Sequence, residues 1–400
     1  MRIAYVTYEY PPDMPPGGIA TYVNQVAKYF SENGHSVEVF CASLSRTSSE
    51  MEGDIFVHRI RCNDPAIFRK QIVNAFSLRH DLVPFDLIES PEIHGNGYLI
   101  KIKYPDLPLL VKFHMPLFLQ MRLINYYTPA LIKLRYFLGA LRRGQFKFYG
   151  DTNYHDDIDY KITMLADSMV SPSNSLRTIL IREWKLDRDK VSVIPYPFVA
   201  PELLLSIPIK ITTSKVITFI GKLNVQKGIV IFVEVIKQIA KKYPDVYFRL
   251  VGNDSYYSNA KSQMSDYIIN SLKGFEQNYT IKGGLSYQEV MSELSKSDIC
   301  VFPSIWENFG IVCLEAMSAG RAIVASKNGG WSEMLTNDSG LLVDPLNTQQ
   351  IVSAISELLD DPQSRVNYGL AAREKVLTRF NQKPFTILEN HYYNLINNDC

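Results

Sequence analysis

The sequence predicts an α/β protein made of two successive doubly wound domains. Short β-rich runs alternate with amphipathic helical patterns along most of its 400 residues, and the pattern restarts after a cluster of prolines. The composition, 46% apolar and 21% charged, is that of a globular chain and excludes disorder, collagen and coiled coil as whole-chain readings. At roughly 100–200 residues per domain, the length admits two or three domains with a sizeable core.

The first βα unit is a strand over Arg2–Thr7, a Pro/Gly loop, and a helix. Ile19, Tyr22, Val23, Val26, Ala27 and Phe30 follow the helical period, and Gly34 is placed to stop the helix. Further strands are expected at 37–41, 85–89, 109–114, 168–171 and 191–194. Pro195, Pro197, Pro201 and Pro208 then mark a boundary near 198–212. A second set follows, with a strand at 216–220, a Gly/Lys loop, a helix over 229–242, and strands at 247–251, 279–281, 299–302 and 322–325. This gives domains over 1–205 and 206–383, and a helix over 385–397 is expected after Pro384. Two doubly wound halves predict a ligand site between the C-terminal ends of their strands.

Forty-two basic against 41 acidic side chains leave +1, which excludes a generally basic nucleic-acid binder. The longest uncharged run, 14–27, is broken by Pro15, Pro16, Gly17 and Gly18 and is too short to span a bilayer. Met1–Thr7 reads as a strand rather than a leader. The five cysteines, at 41, 62, 300, 313 and 400, show no Cys-x-x-Cys spacing. A disulfide framework and a zinc site are not expected, and a cytoplasmic protein is.

The loop 8–18 lacks the G-x-G-x-x-G dinucleotide fingerprint, which excludes an NAD-dependent dehydrogenase. Gly17-Gly18 precede a helix, so they mark either an anion site at its N-terminus or a plain turn. The second-half loop, Gly221-Lys222-Leu223-Asn224-Val225-Gln226-Lys227-Gly228, is more specific. Two ammonium groups on one tight loop repel unless an anion such as a diphosphate lies between them; otherwise both are solvated. Gly228 stands where a Walker A loop has Ser or Thr, so no Mg²⁺-ligating hydroxyl is in place.

After the strand at 299–302, Glu307 falls in a loop, with Gly310 allowing close backbone approach, and Glu315 falls among apolar helix residues. A desolvated carboxylate there calls for hydrogen-bond donors. The vicinal hydroxyls of a ribose would serve, as would pairing with Arg321.

Glu307 and Glu315, eight positions apart with Asn308-Phe309-Gly310 after the first, resemble the signature of family-4 retaining glycosyltransferases of the GT-B fold. Gly17-Gly18, Gly221-Lys222-Leu223, Lys227-Gly228 and Gly329-Gly330 agree, and the likeness covers nearly the whole chain. It implies two Rossmann-like domains facing across a cleft, with the helix in 384–400 returning to the first. It also implies transfer of a hexosyl unit from a UDP- or GDP-linked sugar to a glycan or lipid-linked acceptor, in cell-surface polysaccharide or glycolipid synthesis.

By the same resemblance, Glu307 holds donor-sugar hydroxyls and Glu315 the ribose. Backbone N–H groups around Phe309, Gly310, Ile311 and Val312, with Gly221, Lys222 and Lys227, take the diphosphate. Lys222 stands where relatives commonly carry Arg, keeping the charge without the bidentate fork. Gly17 and Gly18 approach the phosphate, Leu285 lies where the backbone meets the base, and His114 matches an active-site histidine near the sugar C6. Glu89 and Glu92 are candidate acceptor contacts. Catalysis then rests on Glu307, His114, Lys222 and Lys227, the cations stabilising the leaving diphosphate, so neither a cofactor nor a metal is expected.

Asp157-Ile158-Asp159 has the form of a metal-binding triplet but reads as a solvated acidic turn. Residues 107–150 carry seven cations (Lys112, Arg122, Lys133, Arg135, Arg142, Arg143 and Lys147) and no acid, interleaved with Leu, Phe and Tyr. This stretch is either a peripheral contact with anionic membrane or helices packed on the first sheet with a solvated basic face. Two other functions stay open: a GT-B UDP-sugar 2-epimerase, and a non-catalytic nucleotide-sugar binding protein.

Overall fold

Buried, β-branched runs form the strands of two parallel sheets, and the helices between them cover the faces. The computed structural model describes residues 1–14, 17–128, 130–150 and 154–397. The chain divides into two units: 1–122 with 150–199 and 382–400, and 123–149 with 200–381.

The first unit holds eight strands: β1 Arg2–Val6, β2 Ser36–Ser43, β3 Ser48–Glu52, β4 Ile55–Arg61, β5 Leu87–Pro91, β6 Leu109–Lys112, β7 Ser168–Ser171 and β8 Val191–Val193. Their order is β3-β4-β2-β1-β5-β6-β7-β8, with only β3–β4 antiparallel. The helix Gly18–Glu32 buries Ala20, Tyr22, Val23, Val26, Ala27 and Phe30, and Gly34 follows it at φ +84°. The last helix, Lys383–Ile396, belongs to this unit. Its Tyr392 hydroxyl bonds the Glu89 carboxylate, His391 meets Ser168 Oγ at 2.8 Å, and Phe385 stacks on Tyr29 with centroids 4.0 Å apart.

The second unit holds β9 Val216–Ile220, β10 Tyr247–Val251, a two-stranded hairpin (β11 Tyr256–Tyr257, β12 Ser262–Gln263), β13 Tyr279–Lys282, β14 Ile299–Phe302, β15 Ala322–Ser326 and β16 Leu341–Val343. The main sheet runs β13-β10-β9-β14-β15-β16, so the order reverses between the neighbours β9 and β14. That reversal is the switch point where ligands collect in doubly wound sheets. Ile217, Phe219, Phe232, Ile236, Phe248, Leu250, Val301 and Val324 belong to its core.

The strands expected from the sequence do not include β3, β4, β11, β12 or β16. Residues 123–149, expected in the first domain, go with the second unit. The helix Ala130–Arg142 within them buries only Ala140, so it is not a sheet-packing helix.

Candidate nucleotide-sugar site

The loops leaving β9 and β14 are built against each other. Gly221 N–H donates to Val251 O at 2.9 Å, and Asn224 Oδ1 accepts Lys227 N–H at 2.8 Å. Ile305 N–H donates to Gln226 O at 2.9 Å, which ties the two loops together. Gly228, at φ +77°, opens the helix Ile229–Lys242, and a Cβ there would strike the Pro303 carbonyl. Gly310, also at φ +77°, opens the helix Ile311–Ser318 where a Cβ would strike the Trp331 ring and the Glu307 side chain. Two helix N-termini, with unused N–H groups, therefore start from these loops at the switch point.

The Lys227 ammonium forms an ion pair with the Glu307 carboxylate. Lys222 is exposed on the same loop. The Glu307 backbone is fixed from the far side by a bridge to Gly329 and by Gly330 N–H donating to its carbonyl at 2.8 Å. Asn308 and Phe309 turn inward: Asn308 Oδ1 accepts from Trp306 Nε1 at 2.7 Å, and Phe309 packs on Phe380. What they offer a ligand is loop shape and backbone, continuing into the half-buried Ile311 and Val312.

Glu315 is buried on the helix Ile311–Ser318. It does not pair with Arg321, whose guanidinium donates to the carbonyls of Ala319, Ser297 and Pro208 at 2.8, 2.8 and 3.1 Å. Burial pushes the Glu315 carboxyl up to about 7, and a hydrogen bond from Tyr287 opposes the shift. Tyr287 opens the helix that follows Leu285, which is half-buried in the loop after β13. Sequence reasoning missed Tyr287. Its signal is the capping box Ser286-x-x-Glu289, which places it as the first helical residue beyond the Gly283-Gly284 turn.

In the first unit, Gly17 is the N-cap of the helix Gly18–Glu32, and Tyr22 of that helix sets its ring edge-on to His114 at 5.4 Å. Burial, then Lys112, lowers the His114 pKa to about 3, so the imidazole is neutral. Tyr196, also missed, meets His114 Nδ1 at 2.7 Å; its signal is an aromatic residue between Pro195 and Pro197 just past a strand.

Glu89 and Glu92, expected as acceptor contacts, are both buried and engaged within the protein. Glu89 is buried and bonded by Tyr392, with Lys112 nearby as its counter-charge. Glu92 is buried, and both its oxygens accept His114 N–H, at 2.9 and 2.8 Å. Desolvation is costly for a carboxylate, and these internal partners answer it. Asp159 is not solvated either. It is buried and accepts N–H bonds from His94 and Leu117, both at 2.9 Å, while Asp157 caps its helix. Among the described residues, no three His, Cys, Asp or Glu side chains gather as a metal-binding group.

Lys112 also leaves the basic stretch: it is fully buried and donates to Ile194 O at 2.9 Å. Arg122 pairs with Glu183. Leu131, Leu134, Leu138 and Leu141 are exposed, as are Phe146 and Phe148. No described helix is long and apolar enough to cross a membrane. Cys41, Cys62, Cys300 and Cys313 are buried free thiols, and Cys400 lies outside the described residues.

Both halves of the chain match glycosyltransferase family models. Residues 16–198 match the family model "Glycosyltransferase Family 4" and residues 206–375 match "Glycosyl transferases group 1". The chain belongs to this family and has the GT-B fold. It is similar to an uncharacterised glycosyltransferase of Methanocaldococcus jannaschii, 24% identical over 90% of each chain. Sucrose-phosphate synthase from Thermosynechococcus elongatus shares the fold at TM-score 0.77 and 19% identity over 100% of each chain. HepE of Anabaena, solved with UDP-glucose, does so at TM-score 0.66 and 17% identity, over 98% of this chain and 100% of its own.

Proposed function

We propose that this chain is a retaining, metal-independent hexosyltransferase. It would move a sugar from a UDP- or GDP-linked donor to an acceptor hydroxyl in cell-surface polysaccharide or glycolipid synthesis. The observation that carries this reading is Glu315, a buried carboxyl pushed up to about 7 beside Tyr287. The vicinal hydroxyls of a donor ribose supply the hydrogen bonds that such a group lacks in an apolar setting. HepE with UDP-glucose supports UDP as one donor nucleotide.

Lys222, Lys227 and the N–H groups opening the helices Ile229–Lys242 and Ile311–Ser318 face charge that develops on the leaving diphosphate. They bring the positive charge that a divalent ion brings elsewhere, so EDTA leaves turnover unchanged. Glu307, held by Lys227, receives sugar hydroxyls next to the diphosphate. The acceptor oxygen bonds to the anomeric carbon on the face the phosphate leaves, and a phosphate oxygen takes the acceptor proton. A thermal-shift panel of UDP-, GDP- and ADP-hexoses tests the donor reading. One UDP- or GDP-sugar raises the melting temperature of the wild type and not of Glu315→Ala; no stabilisation by any sugar would refute it. Epimer formed from donor alone would favour the 2-epimerase.

A second reading concerns location. The exposed leucines of the helix Ala130–Arg142, flanked by Lys133, Arg135, Arg142, Arg143 and Lys147, favour peripheral contact with an anionic cytoplasmic membrane face.

A further inference from the structure

Trp331 is buried, yet its indole N–H has no hydrogen-bond acceptor among the described residues. A buried donor without a partner is costly, and a phenyl ring in the same place would avoid the cost. Its neighbours show what the donor is beside. Trp331 follows Gly329-Gly330, the pair that holds the Glu307 backbone through a bridge and a 2.8 Å bond. Trp331 Nε1 is the atom nearest to the point where a Cβ of residue 310 would stand, and Glu307 Cγ lies 2.8 Å from the same point. The indole nitrogen and the Glu307 side chain are therefore packed side by side, over a glycine that leaves them room.

The indole is fixed by its packing on Phe302, with ring centroids 5.5 Å apart. The half-buried Glu307 carboxylate can turn about its own side-chain bonds, and here it pairs with Lys227 instead. A diphosphate on the lysine loop competes for that ammonium. A carboxylate that gives up its cation in a half-buried place needs another donor, and the indole N–H is the one beside it.

We propose that Trp331 is a positioning residue for Glu307. As the diphosphate takes Lys227, the carboxylate exchanges the ammonium for the Trp331 indole N–H. One oxygen is then bound, and the other is left to accept donor-sugar hydroxyls. The sugar contact is thereby assembled only once the diphosphate is seated. This order of events rests on the reading of Lys227 and Glu307 as donor contacts; the pairing of Glu307 with Trp331 when Lys227 is removed does not.

The test is a ¹H–¹⁵N correlation spectrum of the indole N–H groups of the three tryptophans, with Trp331 assigned by its loss in Trp331→Phe. In ligand-free Lys227→Ala the Trp331 proton moves downfield of its wild-type position, and adding Glu307→Ala returns it. Saturating UDP or GDP moves it the same way in the wild type. Trp331→Phe keeps the ring packing, lowers kcat/KM for the nucleotide sugar about tenfold, and leaves the affinity for free UDP or GDP unchanged, the pattern of one lost bond on the sugar side. A Trp331 signal that stays in place in Lys227→Ala, or that moves equally without Glu307, overturns the proposal. A shift in Lys227→Ala with none on adding UDP or GDP would overturn the reading of the lysine loop as a diphosphate site instead.

Discussion

Glu315 sits on the buried face of the helix Ile311–Ser318, and desolvation pushes its carboxyl up to about 7 while Tyr287 opposes the shift. In the proposed role of Glu315, hydroxyls of a ribose donate to the ionised form, so that form is the one that would bind. A nucleotide sugar has no proton of its own to lose near neutrality. Its affinity is therefore full above pH 7 and falls, up to about tenfold per pH unit, as Glu315 protonates below it. Calorimetry from pH 6 to 8.5 measures this. Glu315→Gln should bind weakly with a flat profile, and a flat wild-type profile would reject the assignment. Lys222 with Lys227, and Glu307 with Glu315, stand out in the sequence because each pair falls within one short stretch. Tyr287 and Tyr196 were not, because each acts on a partner far away in the chain. Asp159 was misread for the same reason: its partners His94 and Leu117 come from other segments.

The last helix, Lys383–Ile396, was expected from its apolar pattern after Pro384, but its polar anchoring was not. Tyr392 donates to the buried Glu89, and its hydroxyl lies 3.2 Å from that of Tyr5 on β1. Removing that donor leaves a buried carboxyl short of one partner. Tyr392→Phe should lower unfolding stability by about 1–3 kcal/mol in urea titration, and an unchanged midpoint would show the bond to be inconsequential. Most buried parallel strands were found to within one or two residues, since continuous apolar runs identify them. The antiparallel pair β3–β4 was missed because Ser48–Glu52 is polar but for the exposed Met51, and Ile55–Arg61 places His58 and Arg59 inside. Arg59 is fully buried against Asp13 and Glu52, an arrangement that composition alone reads as surface.

Across the whole molecule, the two doubly wound units follow from the repeated strand–helix pattern, and the sheet reversal between β9 and β14 puts the lysine and glutamate loops side by side. The near-neutral total conceals a local excess of positive charge. With Lys112 buried and Arg122 paired, five cations remain over 123–149, among leucines that face outward. Vesicles containing anionic lipid should sediment the protein at low salt, and added salt or Leu134→Glu with Leu138→Glu should release it. Equal sedimentation with zwitterionic vesicles would count against an electrostatic contact.

The central claim is glycosyl transfer from a nucleotide sugar at the loops after β9 and β14. Its most direct test is release of nucleoside diphosphate from UDP- or GDP-hexose in the presence of a glycan or glycolipid acceptor, with the product linkage read by NMR. The account predicts release that depends on acceptor, a product of unchanged anomeric configuration, and a loss of at least a hundredfold in Lys227→Ala. Inverted product, or Lys227→Ala turning over as fast as wild type, would contradict it.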